Sequence, residues 1–179
     1  MIIGIIIDMQ EDFVNGPLGT PEAKAIVPYV QKQTHDKAFD MLFFTQDWHT
    51  RSTERYNLEM NRIPYHCMAG SNGARIVKGL IDENIPTFRT LQKNNFGLYS
   101  LPDILMDEAC GYGDDITEIH IMGVCTDICV ISNALILRSA FPSVPIYVRA
   151  NGCAGTTPEA HKAALTVMQN CLIDVLEEI

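Results

Sequence analysis

Hydrophobic residues recur along the chain with two alternating periods, and this alternation predicts strands separated by helices. Residues 2–7 are β-branched and almost continuously apolar, which is typical of a strand buried on both faces. The pattern predicts six strands, at residues 2–7, 41–45, 86–91, 118–124, 145–148 and 172–176. Helical spacing predicts five intervening helices, at residues 21–36, 73–84, 101–109, 126–140 and 157–170.

The order of these elements predicts an α/β fold. We expect a three-layer α/β/α architecture around a mostly parallel, Rossmann-like sheet of about six strands. Thr20 and Pro21 fit the N-cap and first position of the helix that follows them. Residues 48–72 lack a regular pattern, and loops of this length are usually functional. Since no internal repeat or linker is present, residues 1–179 are interpreted as a single domain.

Composition and charge narrow the classes of function. Hydrophobic residues make up 47% of the chain and charged residues 20%, as in ordinary globular proteins. The formal net charge of −9 disfavours contact with phosphate backbones and anionic lipids, so we expect no nucleic-acid or membrane partner. The apolar residues 1–7 are too short to span a bilayer and lack the basic segment of a signal peptide. A cytoplasmic protein with six reduced cysteines is therefore expected.

Polar side chains follow the predicted strands at their carboxyl ends, where open α/β sheets bind ligands. Four strands lead into residues suited to catalysis or metal binding: Asp8 after the first, Asp47 and His49 after the second, Lys93 after the third, and Cys125 and Cys129 after the fourth. Each residue alone is a weak indication. Their common placement at one edge of the sheet predicts a single functional site.

Cys129 lies near the start of a predicted helix, where unpaired amides and the helix dipole favour a thiolate. A neighbouring Lys93 would lower the pKa of this thiol further, and Asp8 could accept its proton as a general base. Two alternatives stay open at this point. Cys125 and Cys129 could be small buried hydrophobic residues, or they could form a redox pair, although their spacing is not that of a C-x-x-C motif.

The segment Asp47-x-His49 places two metal-ligand types on the same side of an extended chain. His66 follows after the irregular loop, and Glu59 or Glu54 could supply a fourth ligand. Such a set suits a borderline divalent ion such as zinc, iron or manganese. The alternative is that these are solvated loop residues.

At these residues the chain resembles the isochorismatase-like cysteine hydrolases. Asp8-Met9-Gln10-Glu11-Asp12-Phe13 resembles the opening motif of that family, whose first Asp is the catalytic acid and base. Lys93 matches the lysine after the third strand, and Gly123-Val124-Cys125-Thr126-Asp127-Ile128-Cys129-Val130 resembles the nucleophile motif. The resemblance implies Asp8, Lys93 and Cys129 as catalytic residues. It also implies a cis Val124–Cys125 bond and an oxyanion hole formed by the amides of Cys125 and Cys129.

Two further motifs resemble those of the metal-containing members. They are Asp47-Trp48-His49 and Pro64-Tyr65-His66-Cys67, and they imply one divalent ion, with zinc first and Fe²⁺ or Mn²⁺ as alternatives. Many members carry a further His where this chain has Arg55. Some relatives use a Glu before the Pro-x-His motif, and Glu59 has that spacing. The implied ligands are Asp47, His49, Glu59 and His66, with Glu54 in reserve.

The resemblance also implies a pocket for a flat ring. Phe13 would stack on the ring, with Leu18, Ile63 and Phe96 as walls, and Ile63 and Ile128 make the pocket less aromatic than in many members. The implied activity is metal-dependent hydrolysis of the small carboxamide nicotinamide to nicotinate and ammonia through a thioester, in NAD salvage. Another amide or carbamoyl hydrolase of the superfamily is the alternative, followed by a non-catalytic thiol or metal sensor. A homo-oligomer stays open.

Overall fold

The computed structural model describes residues 1–54, 57–82, 84–85 and 87–177, without the side chains of residues 53 and 54, and its centre is a parallel sheet. The six strands are β1 (Ile2–Ile7), β2 (Met41–Asp47), β3 (Phe88–Lys93), β4 (Glu118–Val124), β5 (Ile146–Ala154) and β6 (Asp174–Leu176). Their order is β3-β2-β1-β4-β5-β6, with every neighbouring pair parallel. This confirms the predicted α/β fold and its Rossmann-like arrangement, with a reversal of strand order between β1 and β4.

Helices connect the strands. They are α1 (Glu11–Val14), α2 (Pro21–Thr34), α3 (Arg51–Glu54), α4 (Leu58–Arg62), α5 (Leu101–Tyr112), α6 (Ile131–Ala140) and α7 (Pro158–Asn170), with a π-helical turn at Thr126–Val130. Thr20 caps α2 as predicted, since its hydroxyl accepts a hydrogen bond from the Ala23 amide at 3.0 Å. None of the helices in the described part of the chain has the length and apolarity that a bilayer crossing requires.

The apolar residues of β1 face both sides of the sheet, as its continuous hydrophobic run predicts. Ile3 and Ile5 pack in one core, together with residues of α5, α6 and α7. Ile6 packs in the opposite core, together with Ile26 and Val30 of α2. The sheet is therefore covered on both faces, which confirms the three-layer architecture.

The helix predicted at residues 73–84 is wrong, because its described residues form turns. Of the apolar stripe, Val77 and Leu80 are buried, and Ile76 and Ile81 are partly buried against the same core. Backbone hydrogen bonds to the segment after β1 stabilise these turns, and one of them joins the Val77 N–H to the Met9 carbonyl at 2.9 Å. Gly79 also adopts a φ of +89°, outside the helical region. Periodicity alone could not distinguish such anchored turns from a helix.

Several predicted boundaries also change. The helix predicted at residues 126–140 is divided into the π-helical turn and α6. β5 continues past Asn151 to Ala154, where the pattern predicted an end at Val148, and its pairing with β4 shifts register between Ile121 and Gly123. The irregular stretch at residues 48–72 contains α3 and α4 in its described part.

A substitution at Gly123 in β4 tests the close approach of β4 to β1 at this position. Its φ is +125°, and a Cβ atom there would lie 2.0 Å from the carbonyl oxygen of Ile7. We expect Gly123→Ala to lower the free energy of unfolding by more than about 2 kcal/mol, because backbone atoms must move apart. Urea denaturation measures this change. Gly111→Ala in α5, where a Cβ atom meets nothing within 4 Å, is the control and should not destabilise the chain. Equal stability of both variants would contradict this packing.

Candidate active site and metal centre

The predicted site residues meet at the carboxyl edge of the sheet, beside the reversal of strand order. Asp8 directly follows β1, and Lys93 is the last residue of β3. Cys129 lies in the π-helical turn after β4. The parallel sheet thus brings together three residues that are far apart in sequence.

Lys93 is the centre of this group. Its Nζ atom lies 2.6 Å from Oδ2 of Asp8 and 3.8 Å from Sγ of Cys129. A second carboxylate oxygen, Oδ1 of Asp47, lies 3.6 Å away. The Lys93 side chain is 1% exposed and that of Asp8 is fully buried, so solvent screens these charges weakly.

Burial and charge set the protonation of these groups. Burial opposes the charged form of Lys93, but Asp8, Cys129 and Asp47 together raise the pKa of its ammonium well above its usual value. Burial also raises the pKa of Asp8, with Lys93 opposing the shift. A carboxyl group with a raised pKa next to a fixed cation is suited to accepting and returning a proton.

Burial of Cys129 acts against the thiolate that the helix start and Lys93 were expected to favour. Burial raises the pKa of the Cys129 thiol well above its usual value, and this effect exceeds the opposing effect of Lys93. The Asp8 carboxylate raises the pKa further, through its charge and a hydrogen bond. This direction favours the protonated thiol, so a neighbouring base would have to take its proton before the sulfur could act as a nucleophile.

The main chain around the two cysteines has the form that the resemblance implied. The Val124–Cys125 peptide bond is cis. In the turn that follows, the amides of Ile128 and Val130 both donate to the Cys125 carbonyl at 3.0 Å. Asn133 supports this turn from α6, since its Nδ2 donates to the Cys129 carbonyl at 2.8 Å. Sequence reasoning missed Asn133, although a polar residue inside a largely apolar helix could have indicated it.

Four predicted metal ligands lie together next to this group. Asp47 Oδ2 is 2.7 Å from His49 Nε2 and 3.2 Å from His66 Nε2. His66 Nε2 is in turn 3.3 Å from Glu59 Oε1. One ligand atom from each of the four residues lies within 4.8 Å of all the others. The Glu54 side chain, the alternative ligand, lies outside the described part of the structure.

The chemistry of this donor set fits a divalent cation. His66 Nδ1 lies 2.7 Å from the Pro64 carbonyl, a contact that requires a proton on Nδ1 and turns Nε2 toward the carboxylates. Although burial lowers it, hydrogen bonds to Asp47 and Glu59 raise the pKa of His66 to about 10. Burial would raise the pKa of Asp47, but the two imidazoles and Lys93 hold it well below its usual value. Protons therefore occupy this cluster in the ion-free protein, and a bound cation would displace them.

Gln10 fixes the position of Asp47. This fully buried amide accepts a hydrogen bond from the Asp47 N–H at 2.7 Å. The side-chain nitrogen of Gln10, Nε2, donates hydrogen bonds to the carbonyls of Asp47 and Ala74, each at 2.9 Å. The motif resemblance included Gln10, but its contacts depend on the register between β1 and β2, which the sequence did not provide.

A cavity of about 200 Å³ lies between the Cys129 thiol and the group of predicted metal ligands. Its lining contains the four predicted pocket residues, namely Phe13, Leu18, Ile63 and Phe96. Cys129 and Cys125 lie in the same lining as Glu59 and His66. Thr20 and Thr156 also face the cavity, and sequence reasoning missed both as pocket residues. A cavity of this size suits one small ring rather than an extended ligand.

Comparison with known proteins gives a consistent result. A family model described as the isochorismatase domain matches residues 3–178. Pyrazinamidase/nicotinamidase from Streptococcus mutans is 26% identical, with a TM-score of 0.81 over 98% of this chain and 100% of that chain. Pyrazinamidase of Pyrococcus horikoshii in complex with zinc is 25% identical, with a TM-score of 0.78 over 99% of both chains. N-carbamoylsarcosine amidase from Thermoplasma acidophilum shares the fold, at 20% identity and a TM-score of 0.74 over 99% and 98% of the chains. No curated protein sequence matches the chain.

Removal of one imidazole tests the metal centre. We expect the protein to bind one divalent ion per chain, and His49→Ala to weaken that binding by more than about 100-fold, because a buried ligand is lost. Elemental analysis and competition with a chelator measure both quantities. His35→Ala is the matched control, since this imidazole pairs with Asp82 at 2.8 Å outside the cluster. Full metal content in His49→Ala would contradict the assignment.

Proposed function

The chain belongs to the isochorismatase family, and on this basis we propose that it is a metal-dependent nicotinamidase, a cysteine amidohydrolase that converts nicotinamide to nicotinate and ammonia. One observation carries the proposal: Cys129 lines the same small cavity as Glu59 and His66. A ligand in this cavity can reach the nucleophile and the metal ligands at once. Two similar solved structures are pyrazinamidases by name, and one of them contains zinc, which supports the same interpretation here.

The first chemical step forms a thioester. Asp8 takes the proton of the Cys129 thiol, and the sulfur attacks the carboxamide carbon. The carbon–oxygen double bond opens to an oxyanion, for which the amides of Cys125 and Cys129 are the proposed donors. Each such donor typically contributes ~3–4 kcal/mol to transition-state stabilisation. Asp8 then gives its proton to the departing nitrogen as the carbon–nitrogen bond breaks, and ammonia leaves.

The second step releases the acid. Asp8, again a carboxylate, takes a proton from water, and the resulting hydroxide attacks the thioester carbon. The carbon–sulfur bond breaks, and the sulfur recovers a proton from Asp8. Lys93 keeps the carboxylate and the sulfur in place throughout, because its ammonium contacts both groups.

The cluster of Asp47, His49, Glu59 and His66 would hold the metal ion, and a bound ion supplies a Lewis acid that can bind the pyridine nitrogen. The ring itself contacts protein side chains. Phe13 lies beside the cluster, with its ring centroid 5.3 Å from that of His66. Leu18, Ile63 and Phe96 provide apolar surface around the ring.

The cavity lining favours a neutral ring over an anionic substrate. Among the described residues that line the cavity, none is Lys or Arg, and most are apolar. A carboxylate-bearing carbamoyl substrate would therefore find no Lys or Arg side chain among the described lining residues to pair with. This supports nicotinamide over the substrates of other amide hydrolases with the same fold.

The wider assignments follow from this activity. We propose zinc as the metal, with Fe²⁺ or Mn²⁺ as alternatives, and a role in NAD salvage in the cytoplasm. The proposed substrate is a small carboxamide. The net charge of −9 offers little attraction to nucleic acid, so no nucleic-acid partner is proposed. All the proposed site residues come from one chain, so the activity does not require a second copy. It is equally compatible with a homo-oligomer.

Ammonia release from nicotinamide tests the reaction directly. We expect release by the metal-loaded protein, and a loss of at least about 1,000-fold in Cys129→Ala, because the covalent step is removed. Treatment with a chelator should also abolish release. Cys110→Ala, which removes an exposed thiol, is the control and should keep full activity. Near-native activity in Cys129→Ala would contradict the thioester route.

The substitution Cys125→Ala distinguishes a hydrolase from a non-catalytic thiol sensor. Only the amide of Cys125 is proposed to act, and burial raises the pKa of its thiol to about 12, so this thiol is unreactive. We therefore expect Cys125→Ala to retain activity within about fivefold of the native value, since its backbone donor is unchanged. Steady-state assays measure this. Loss of activity equal to that of Cys129→Ala, or a readily formed disulfide between the two cysteines, would favour the sensor.

A further inference from the structure

The hydroxyl of Thr45, in β2, makes two hydrogen bonds to Asp8. Oγ1 donates to Oδ1 of Asp8 at 2.6 Å and accepts from the Asp8 N–H at 3.1 Å. We propose that Thr45 is a positioning residue that orients the Asp8 carboxylate for proton transfer with Cys129, an inference that rests on the proposed hydrolase function. Neither the strand pattern nor the motif resemblance indicated it.

Asp8 needs such support because its main chain leaves the strand. The pairing of β1 with β4 ends at Ile7, opposite Gly123. Asp8 then adopts a φ of +49°, in the left-handed region that L-residues rarely occupy. Its N–H bonds to the Thr45 side chain instead of a neighbouring strand. Loss of this hydroxyl would therefore release the main chain and the carboxylate of Asp8 together.

The two oxygens of the carboxylate have different partners. Oδ1 accepts from Thr45, whereas Oδ2 faces the Lys93 ammonium at 2.6 Å. A carboxylate held at one oxygen can rotate about its Cβ–Cγ bond, but one held at both oxygens cannot. The fixed plane keeps Asp8 against the Lys93 ammonium, whose Nζ atom also lies 3.8 Å from the Cys129 sulfur. Such orientation of the base matters because proton transfer depends steeply on geometry.

The strand itself does not require a hydroxyl at this position. Thr45 is 1% exposed and follows the fully apolar run Met41–Leu42–Phe43–Phe44. A valine has nearly the same shape and suits a buried strand at least as well. A threonine hydroxyl has one proton to donate, and here that proton is committed to Asp8.

Three substitutions at this position test the role in the metal-loaded protein with nicotinamide as substrate. Thr45→Val should lower kcat by about 10- to 100-fold and leave KM within about threefold, because binding contacts remain while the base is misplaced. Thr45→Ser, which keeps the hydroxyl, should restore kcat to within about threefold of the native value. Should Thr45→Val fail to fold, Thr45→Cys replaces the hydroxyl by a weak donor and should lower kcat about tenfold.

Controls separate positioning from general stability. Thr34→Val removes an equally buried hydroxyl, which donates to the Gln31 carbonyl at 2.9 Å in α2, and should leave kcat unchanged. Metal content must also be equal in all variants, since Thr45 lies two positions before Asp47 in β2. Two results would overturn the proposal. One is a kcat within about twofold of native in Thr45→Val or Thr45→Cys, and the other is a folded, metal-loaded Thr45→Ser as impaired as Thr45→Val.

Alkylation of Cys129 by iodoacetamide provides a measurement that needs no substrate. Mass spectrometry of the Cys129 peptide follows this thiol apart from the other cysteines. We expect alkylation in Thr45→Val to be about tenfold slower than in the native protein, because Asp8 no longer assists deprotonation. An unchanged rate would overturn the role of Thr45. If the native protein released no ammonia, the proposed function would fail, and the alkylation rates would still decide the role of Thr45.

Discussion

The buried ammonium of Lys93 is the charge on which the candidate site depends. Asp8, Asp47 and the Cys129 sulfur all lie within 3.8 Å of its Nζ atom, in surroundings that solvent hardly reaches. Burial of an isolated carboxylate costs several kcal/mol or more, and two carboxylates without a cation would repel each other. Lys93 compensates both effects at once. Its ammonium attracts both carboxylates, so Asp8, the proposed base, and Asp47, a proposed metal ligand, can lie close together.

The parallel sheet explains why these groups meet. Asp47 and Lys93 are direct partners in the register of β2 with β3, and Asp8 follows the neighbouring strand β1. The three side chains thus come from the ends of three adjacent strands. Lys93 faces Asp8 on one side and Asp47 on the other, so it connects the nucleophile group with the metal cluster. The proposed hydrolytic chemistry and the proposed binding of the ring therefore depend on the same edge of the sheet.

Much of this arrangement could be predicted from the sequence, because each strand carries its own pattern. The continuous apolar run of β1 and the polar residues after four of the strands were sufficient to predict the sheet and the grouping of those polar residues at one edge. The contacts of Gln10, Thr45 and Asn133 could not be predicted in the same way. Each joins two elements, and the partner depends on strand register and on the path of a loop. The turns at residues 73–82 were not predicted for a related reason. Backbone hydrogen bonds to the segment after β1, which is distant in sequence, stabilise them.

The thiol shows a further limit of local reasoning. Its position near the start of a helix favoured a thiolate, but burial has the larger effect and raises the pKa of Cys129. In the proposed mechanism, nucleophilic attack requires Asp8 as a base and forms a covalent acyl-enzyme at Cys129. The most direct measurement is rapid acid quenching of the metal-loaded protein during turnover of nicotinamide, followed by mass spectrometry of its peptides. We expect one nicotinoyl group on the Cys129 peptide, formed and lost at rates that match ammonia release. Turnover without any acylated Cys129, or with the acyl group on another residue, would contradict the mechanism.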